Sequence, residues 1–213
     1  MVIGILIALQ VDNWNEDKTR ARHEQQYLRR LQKDLQMDWV GIDTLLKRHN
    51  TRVENVQSFI KYFGKDTIQI ETFNNLFWAL SHSDDFFPND DTYMEMVSSG
   101  KLDLIQSDKL KEAILDIHSH YEQIDDFEEH LEWDRREYIY KLQIGLFNWK
   151  TIDGEYLEEK MFLAEFKRIS SNIQLQNSFL LFSSVSNKLT RLYESGIDKI
   201  DQLDAMINEE LHK

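Results

Sequence analysis

"LRRLQKDLQMDWVGIDTLLKRHNTRVENVQSFIKYF" (Leu28–Phe63) decides the fold. Its residues Leu28, Leu31, Leu35, Ile42, Leu45, Leu46, Val53, Val56, Ile60 and Phe63 recur mostly at three- and four-residue steps. That spacing lays one apolar stripe along a helix. No proline or turn cluster interrupts the chain from Asn15 to Phe63. Gly64 stands where a left-handed cap would end such a helix. Gly41 lies inside it, at a cost of about 1 kcal/mol relative to alanine, and marks a bend or a close helix approach. His49 falls on the stripe and reads as a hydrogen-bonded core histidine.

The same period returns further along. Residues 65–70 read as a loop, and Phe73, Leu76, Phe77 and Leu80 as a short amphipathic helix. "SHSDDFFPNDD" (Ser81–Asp91) is a polar connection holding the only proline, Pro88. A brief helix over Thr92–Ser99 follows, with Ser98, Ser99 and Gly100 as an inter-helix turn. Leu102, Leu104 and Ile105 are apolar loop residues that plug the bundle. Ser107 is a good N-cap, with Asp108 in the first turn where the helix dipole favours negative charge. From there Leu110, Ile114, Ile117, Tyr121, Ile124, Leu131, Tyr138 and Leu142 keep a heptad-like spacing that fades at "NWKTIDG" (Asn148–Gly154). Asp153 is placed to cap a shorter helix through Phe162 and Phe166. A last long helix runs from about Leu175, with Phe179, Phe182, Leu189, Tyr193, Ile200, Leu203 and Ile207 on its stripe and Gly196 weakening it locally. Seven glycines and one proline in 213 residues are too few for the turns of an all-β chain. The predicted fold is all-α: an antiparallel helical bundle of three long helices and about three short ones, filling residues 16–213.

Formal charge is −13, unevenly spread: residues 1–52 carry a surplus of two positive charges and residues 53–213 a surplus of fifteen negative ones. A body so acidic disfavours a nucleic-acid partner, because phosphate repels it. The absence of cysteine excludes disulfides, thiolate catalysis and Cys-type zinc sites together.

"VIGILIALQVDNWNE" (Val2–Glu16) is unlike the rest: apolar to Leu9, then polar around Trp14. As a helix, Val2–Leu9 covers about 12 Å at ~1.5 Å per residue. A bilayer core needs about 20 apolar residues, so the stretch as written does not span. It has neither the basic start nor the small-residue cleavage site of a signal peptide. Two readings remain. One is an apolar helix end packed in a core. The other makes residues 1–15 the C-terminal half of a transmembrane helix. Gln10, Asn13, Trp14 and Asn15 would then lie at the membrane interface, and Lys18, Arg20 and Arg22 on anionic lipid headgroups. By the positive-inside rule these cations pull that end toward the cytoplasm.

"IGILIALQVDNWNE" resembles the signature of an uncharacterised bacterial family of single-span membrane proteins, domain of unknown function 6090, in which such a stretch closes the one transmembrane helix. "YMEMVSSGKLDLIQSDKLKEAILDIHSHYE" (Tyr93–Glu122) is similar to that family's S-S-G-x-L-x-L-I pattern and the helix after it. The resemblance implies placement in the bacterial inner membrane by a single span, contact with membrane lipid through the N-terminal helix, and a body on the periplasmic side. It also implies a basic leader ahead of the signature, so that this chain reads as N-terminally truncated. It carries no known activity and no catalytic residues.

The remaining chemistry is sparse. "HSHYE" and the residues after it place His118, Glu122 and Asp125 on one helical face, a weak metal candidate of one histidine and two carboxylates. A solvated helix face is the simpler reading, and His120 lies off that face. A di-iron bundle needs two Glu-x-x-His motifs, and the chain has one, Glu209 with His212, at its frayed end. "DDFEEHLEWD" (Asp125–Asp134) and "DFFPNDD" (Asp85–Asp91) lack EF-hand spacing. Gly-x-Ser-x-Gly, a phosphate-cradling loop, a dinucleotide fingerprint and His-Glu-x-x-His are missing. No cofactor is expected. The expected function is that of a membrane-anchored protein-interaction or scaffold module without catalytic activity, acting with a protein partner or as a homo-oligomer. The alternatives are a ligand-binding sensor with a pocket near Phe86, Phe87 and Tyr93, and a metal-dependent enzyme using His118 and Glu122.

Overall fold

The computed structural model describes residues 2–78, 85–146 and 159–212, with side chains over 10–76, 85–146 and 160–212. The expectations on Ser81–Asp84, on Asn148–Gly154 and on the Asp153 cap lie outside these residues, as do the side chains of Val2–Leu9, Phe77 and Leu80. The described chain is an all-α helical bundle. Helix α1 spans Val2–Ile60, α2 Ile70–Trp78, α3 Asp91–Ser98, α4 Asp108–Arg135, α5 Lys141–Leu146, α6 Glu159–Ser170 and α7 Ile173–Leu211. A 3-10 turn, Lys101–Leu104, precedes α4, and a π-helical turn, Arg136–Tyr140, joins α4 to α5.

Local chemistry explains the boundaries. Gly64 ends the α1 region at φ +78°, a conformation that needs no Cβ, and its N–H donates to the Ser170 carbonyl. Ser107 caps α4 by accepting the Leu110 N–H at 3.3 Å. Asn172 caps α7 by accepting the Leu175 N–H at 2.8 Å, so that helix begins just before the stripe that announces it.

The chain divides into two compact units. Unit 1 comprises Met1–Ile42, Phe87–Tyr121 and Gly196–Lys213; unit 2 comprises Asp43–Phe86 and Glu122–Ser195. In unit 1, α1 and α4 run in the same direction: Arg20 reaches Asp103, Glu24 reaches Gln106 and Asp38 reaches Tyr121, in step along both. α7 runs antiparallel to both, since Gln32 bonds Asp204 and Asn208 while Asp116 pairs with Lys199. The core is Leu28, Leu31, Leu35, Ile42, Met96, Ile105, Leu110, Ile114, Ile117, Ile200, Leu203 and Ile207, all buried. Gly196 permits close approach here. A Cβ on it would stand 3.3 Å from Ile42 Cδ1 and 3.5 Å from the buried His120 ring.

Unit 2 has an aromatic core. The Phe59 ring lies against Phe63, Phe73 and Phe179, and Phe73 against Phe162 and Phe166. Val53, Val56, Ile124, Leu131, Ile169 and Leu189 extend it. On α4 the expected stripe residue Tyr138 is exposed, and Ile139 and Gln143 are buried instead. The π turn is the reason: a wider turn holds an extra residue and moves everything after it by one position.

Three buried carboxylates tie loops to helices. Glu24 accepts the Gln106 N–H, Asp38 the Asn89 N–H, and Glu128 the Phe86 N–H. Each gives a partner to an amide that no helix satisfies.

The N-terminal expectation is corrected. Among the described residues no helix is long and apolar enough to cross a membrane. This overturns the single span, the lipid partner through the N-terminal helix and the inner-membrane placement. The physical reason is length: Gln10 and Asp12 follow after eight apolar residues, and the ~12 Å they cover is far short of a ~30 Å hydrocarbon core.

Candidate interaction surface

Residues 10–20 of α1 are all exposed. They include Gln10, Asn13, Trp14, Asn15, Lys18 and Arg20, and Arg22 just beyond is exposed too. With the span gone, the interface and headgroup roles expected of these residues lose their basis. What remains is local. Lys18 Nζ sits 5.1 Å from the Trp14 ring centre, and the Arg20 guanidinium donates to the Asp103 carbonyl at 2.6 Å.

One face of α1 carries Lys18, Arg22, Arg29 and Lys33, all exposed. No acidic residue stands three or four positions from any of them, so the stripe lacks the intrahelical pairs that normally neutralise such a face. None of the four forms an ion pair among the described residues. Exposed Val11 and Trp14 lie at one end of the stripe, and exposed Met37 and Val40 at the other. In a chain of net charge −13 this is a local inversion of sign.

Beside the stripe lies a groove of about 470 Å³, lined by His23, Gln26, Tyr27, Arg29, Arg30, Lys101 and Leu104. Its wall is one hydrogen-bonded cluster. Tyr27 Oη donates to Glu95 at 2.6 Å and accepts from Lys101 Nζ at 2.7 Å, and Arg30 pairs with Glu95 at 2.8 Å. Arg30 and Lys101 each stand over the Tyr27 ring, at 5.3 and 5.2 Å. The Tyr27 hydroxyl and the Arg30 guanidinium hold the Glu95 carboxyl down at about 2. The same bonds raise Arg30, mainly through Glu95, and Lys101, mainly through the Tyr27 hydroxyl. No motif announces this cluster, because Tyr27 and Lys101 are 74 positions apart; only the basic run on α1 was legible.

Ser98 closes α3, Ser99 donates its hydroxyl to the Glu95 carbonyl at 2.6 Å, and Gly100 turns the chain at φ +68°. That turn sets the spacing between Glu95 and Lys101. The metal candidates are placed apart from any ligand cluster. His118 is half-buried with its ring stacked on Tyr93 at 3.4 Å, and burial lowers its pKa to about 4. Glu122 and Asp125 are exposed. Among the described residues no group of three or more His, Asp or Glu side chains is placed to hold a metal ion. Of the expected pocket residues, Phe87 is 80% exposed, Tyr93 lies against His118, and Phe86 belongs to the core of unit 2.

Unit 2 holds a polar cluster that resembles catalytic machinery in composition. A cavity of about 20 Å³, room for about one water, is lined by His49, Arg52, Asp85, Glu128, Arg135 and Tyr193 among others. Glu128 is buried, accepts from Tyr193 Oη, and is pushed up to about 7 by that burial. His49 donates Nε2–H to the Ser186 carbonyl at 2.9 Å, and burial lowers its pKa. That bond occupies one of the two ring nitrogens and fixes the ring in the core. Arg135 is held by Glu132 and by the Tyr140 hydroxyl. The cluster reads as a satisfied internal network.

A model of a family of unknown function (DUF6090) matches residues 1–151. No curated protein and no solved structure matches the chain.

Proposed function

The chain belongs to the DUF6090 family of unknown function, and from its own geometry we propose that it is a non-catalytic protein-interaction module that receives an acidic helical partner on the exposed face of α1. The observation that carries this reading is the stripe Lys18, Arg22, Arg29 and Lys33, with no acidic residue three or four positions from any of them and flanked at both ends by exposed apolar side chains. Cations at the centre orient an acidic partner and speed its approach, while Trp14, Val11, Met37 and Val40 supply the apolar contact that gives affinity. A partner helix is the natural occupant, because the stripe follows one helical face for some four turns, about 22 Å at ~1.5 Å per residue. The partner is another acidic protein or a second copy of this chain.

Photo-crosslinking in the native cell tests it. A crosslinker at position 22 and one at position 29 should capture the same protein. A crosslinker at the exposed Glu112 should not, and Lys18→Glu with Lys33→Glu should abolish capture. Different proteins at the two positions, or capture insensitive to the charge reversal, sinks the reading.

A further inference from the structure

We propose that the groove at Tyr27 in unit 1 is a binding site for a small anion, a phosphate monoester or a dicarboxylate. The groove has the size of small-molecule sites, about 470 Å³. Three cations, Arg29, Arg30 and Lys101, line the groove with no carboxylate among the lining residues; Glu95 pairs with Arg30 and Lys101 and Asp34 adds its field at Arg30, so a positive surplus remains. A small anion with several acceptor oxygens suits it. Glu95 does not close the site. It takes one guanidinium nitrogen of Arg30 and one weak 3.4 Å contact from Lys101, so both cations keep donors to offer. Their side chains are 49% and 43% exposed, hence open to a ligand.

The cluster is also built before any ligand arrives. The Tyr27 ring, 8% exposed, is the floor on which both cations rest, and its hydroxyl fixes Glu95. Glu95 in turn holds Arg30 in place. Preorganised donors lose little entropy on binding, and Arg offers the planar fork that suits phosphate and carboxylate oxygens. Arg29 forms no ion pair among the described residues and is the free cation at the rim. Gln26 supplies an amide on the same wall, and His23 an imidazole.

The site stands apart from the docking of a partner helix. It shares only Arg29 with the basic stripe, so the two readings fail separately. The test is an amide-resolved NMR titration of the whole chain with two probes, inorganic phosphate and succinate, at low ionic strength. We expect saturable one-to-one binding of at least one probe, with shifts at Tyr27, Lys101 and Leu104. A phosphate preference assigns a phosphate monoester and a succinate preference a dicarboxylate. Arg29→Gln and Lys101→Gln should each weaken binding roughly tenfold, the factor that ~1.4 kcal/mol represents. Lys101→Arg should retain it, and Lys33→Gln, outside the groove, should leave it unchanged while weakening partner capture. Circular dichroism confirms that each variant is folded. The proposal is overturned if neither probe saturates, or if Lys33→Gln weakens binding as much as Lys101→Gln does.

Discussion

Glu95 in unit 1 and Glu128 in unit 2 carry the same carboxyl, and the two regions hold it in opposite ways. Glu95 sits at the surface between Arg30, Lys101 and the Tyr27 hydroxyl, and its pKa falls to about 2. Glu128 is buried with one phenol and one amide as donors, and its pKa rises to about 7. Unit 1 therefore keeps a charged cluster where solutes reach it. The Glu128 cluster of unit 2 is sealed, and there desolvation outweighs hydrogen bonding. Composition would not separate the two; the number of cations facing each carboxylate, and the water around it, does.

The contrast yields graded expectations. The largest effect belongs to the aromatic core of unit 2. Phe59→Ala removes a ring touching Phe63, Phe73 and Phe179, and should cost about 3–5 kcal/mol in urea unfolding. A loss under about 1 kcal/mol would mean that the core repacks freely.

Next comes Glu128. Its folded pKa lies above the ordinary 4.5, so the folded chain holds the proton more tightly than the unfolded one. Its contribution is full below pH 4.5 and is lost as pH rises through about 7. At ~1.36 kcal/mol per pKa unit the swing is at most roughly 3 kcal/mol. Glu128→Gln should abolish that slope, and melting curves of both proteins between pH 4.5 and 8 will show whether their difference changes as stated.

Asp38→Ala is third. It leaves the Asn89 N–H and side-chain amide without the acceptor they reach at 2.7 and 2.8 Å. The expected loss is about 1–3 kcal/mol, with faster amide exchange at Asn89. Unchanged exchange there would show that the carboxylate does not hold the loop.

The smallest effect is expected from Glu95→Gln. A depressed pKa gives stability that is present above the ordinary 4.5 and lost as pH falls through about 2. The variant should be slightly less stable than the parent near neutrality, converge with it as pH falls toward about 2, and so show a flatter acid limb. A large difference at neutral pH would break the contrast drawn between the two regions.

Much of the fold was legible because one period governs long stretches. Leu28, Leu31, Leu35 and Ile42 on α1, and Phe179, Phe182, Leu189 and Tyr193 on α7, are all buried as their spacing requires. Phe59 was missed because the stripe was counted through Ile60, and both positions face inward to different degrees. The reading of residues 1–15 as the closing half of a span is not upheld, since among the described residues no helix is long and apolar enough to cross a membrane. The basic run was visible as charge, and its assignment to lipid went with the span. The Tyr27 groove was not legible at all. Its lining comes from α1 and the 3-10 turn, with Glu95 of α3 bonded to Tyr27 and Arg30, and no local pattern records that these meet.

The π turn between α4 and α5 has a consequence for how chains related to this one should be aligned. Counting seven from Leu131 lands on the exposed Tyr138, and seven from the buried Arg135 lands on the half-buried Leu142. Delete one residue within Arg136–Tyr138, inside the π turn, and both counts land on the inward residues, Ile139 and Gln143. The segment is thus a plain heptad with one inserted letter. A relative that lacks the letter should keep an ordinary α-helix there, and a single gap should restore the match between the two.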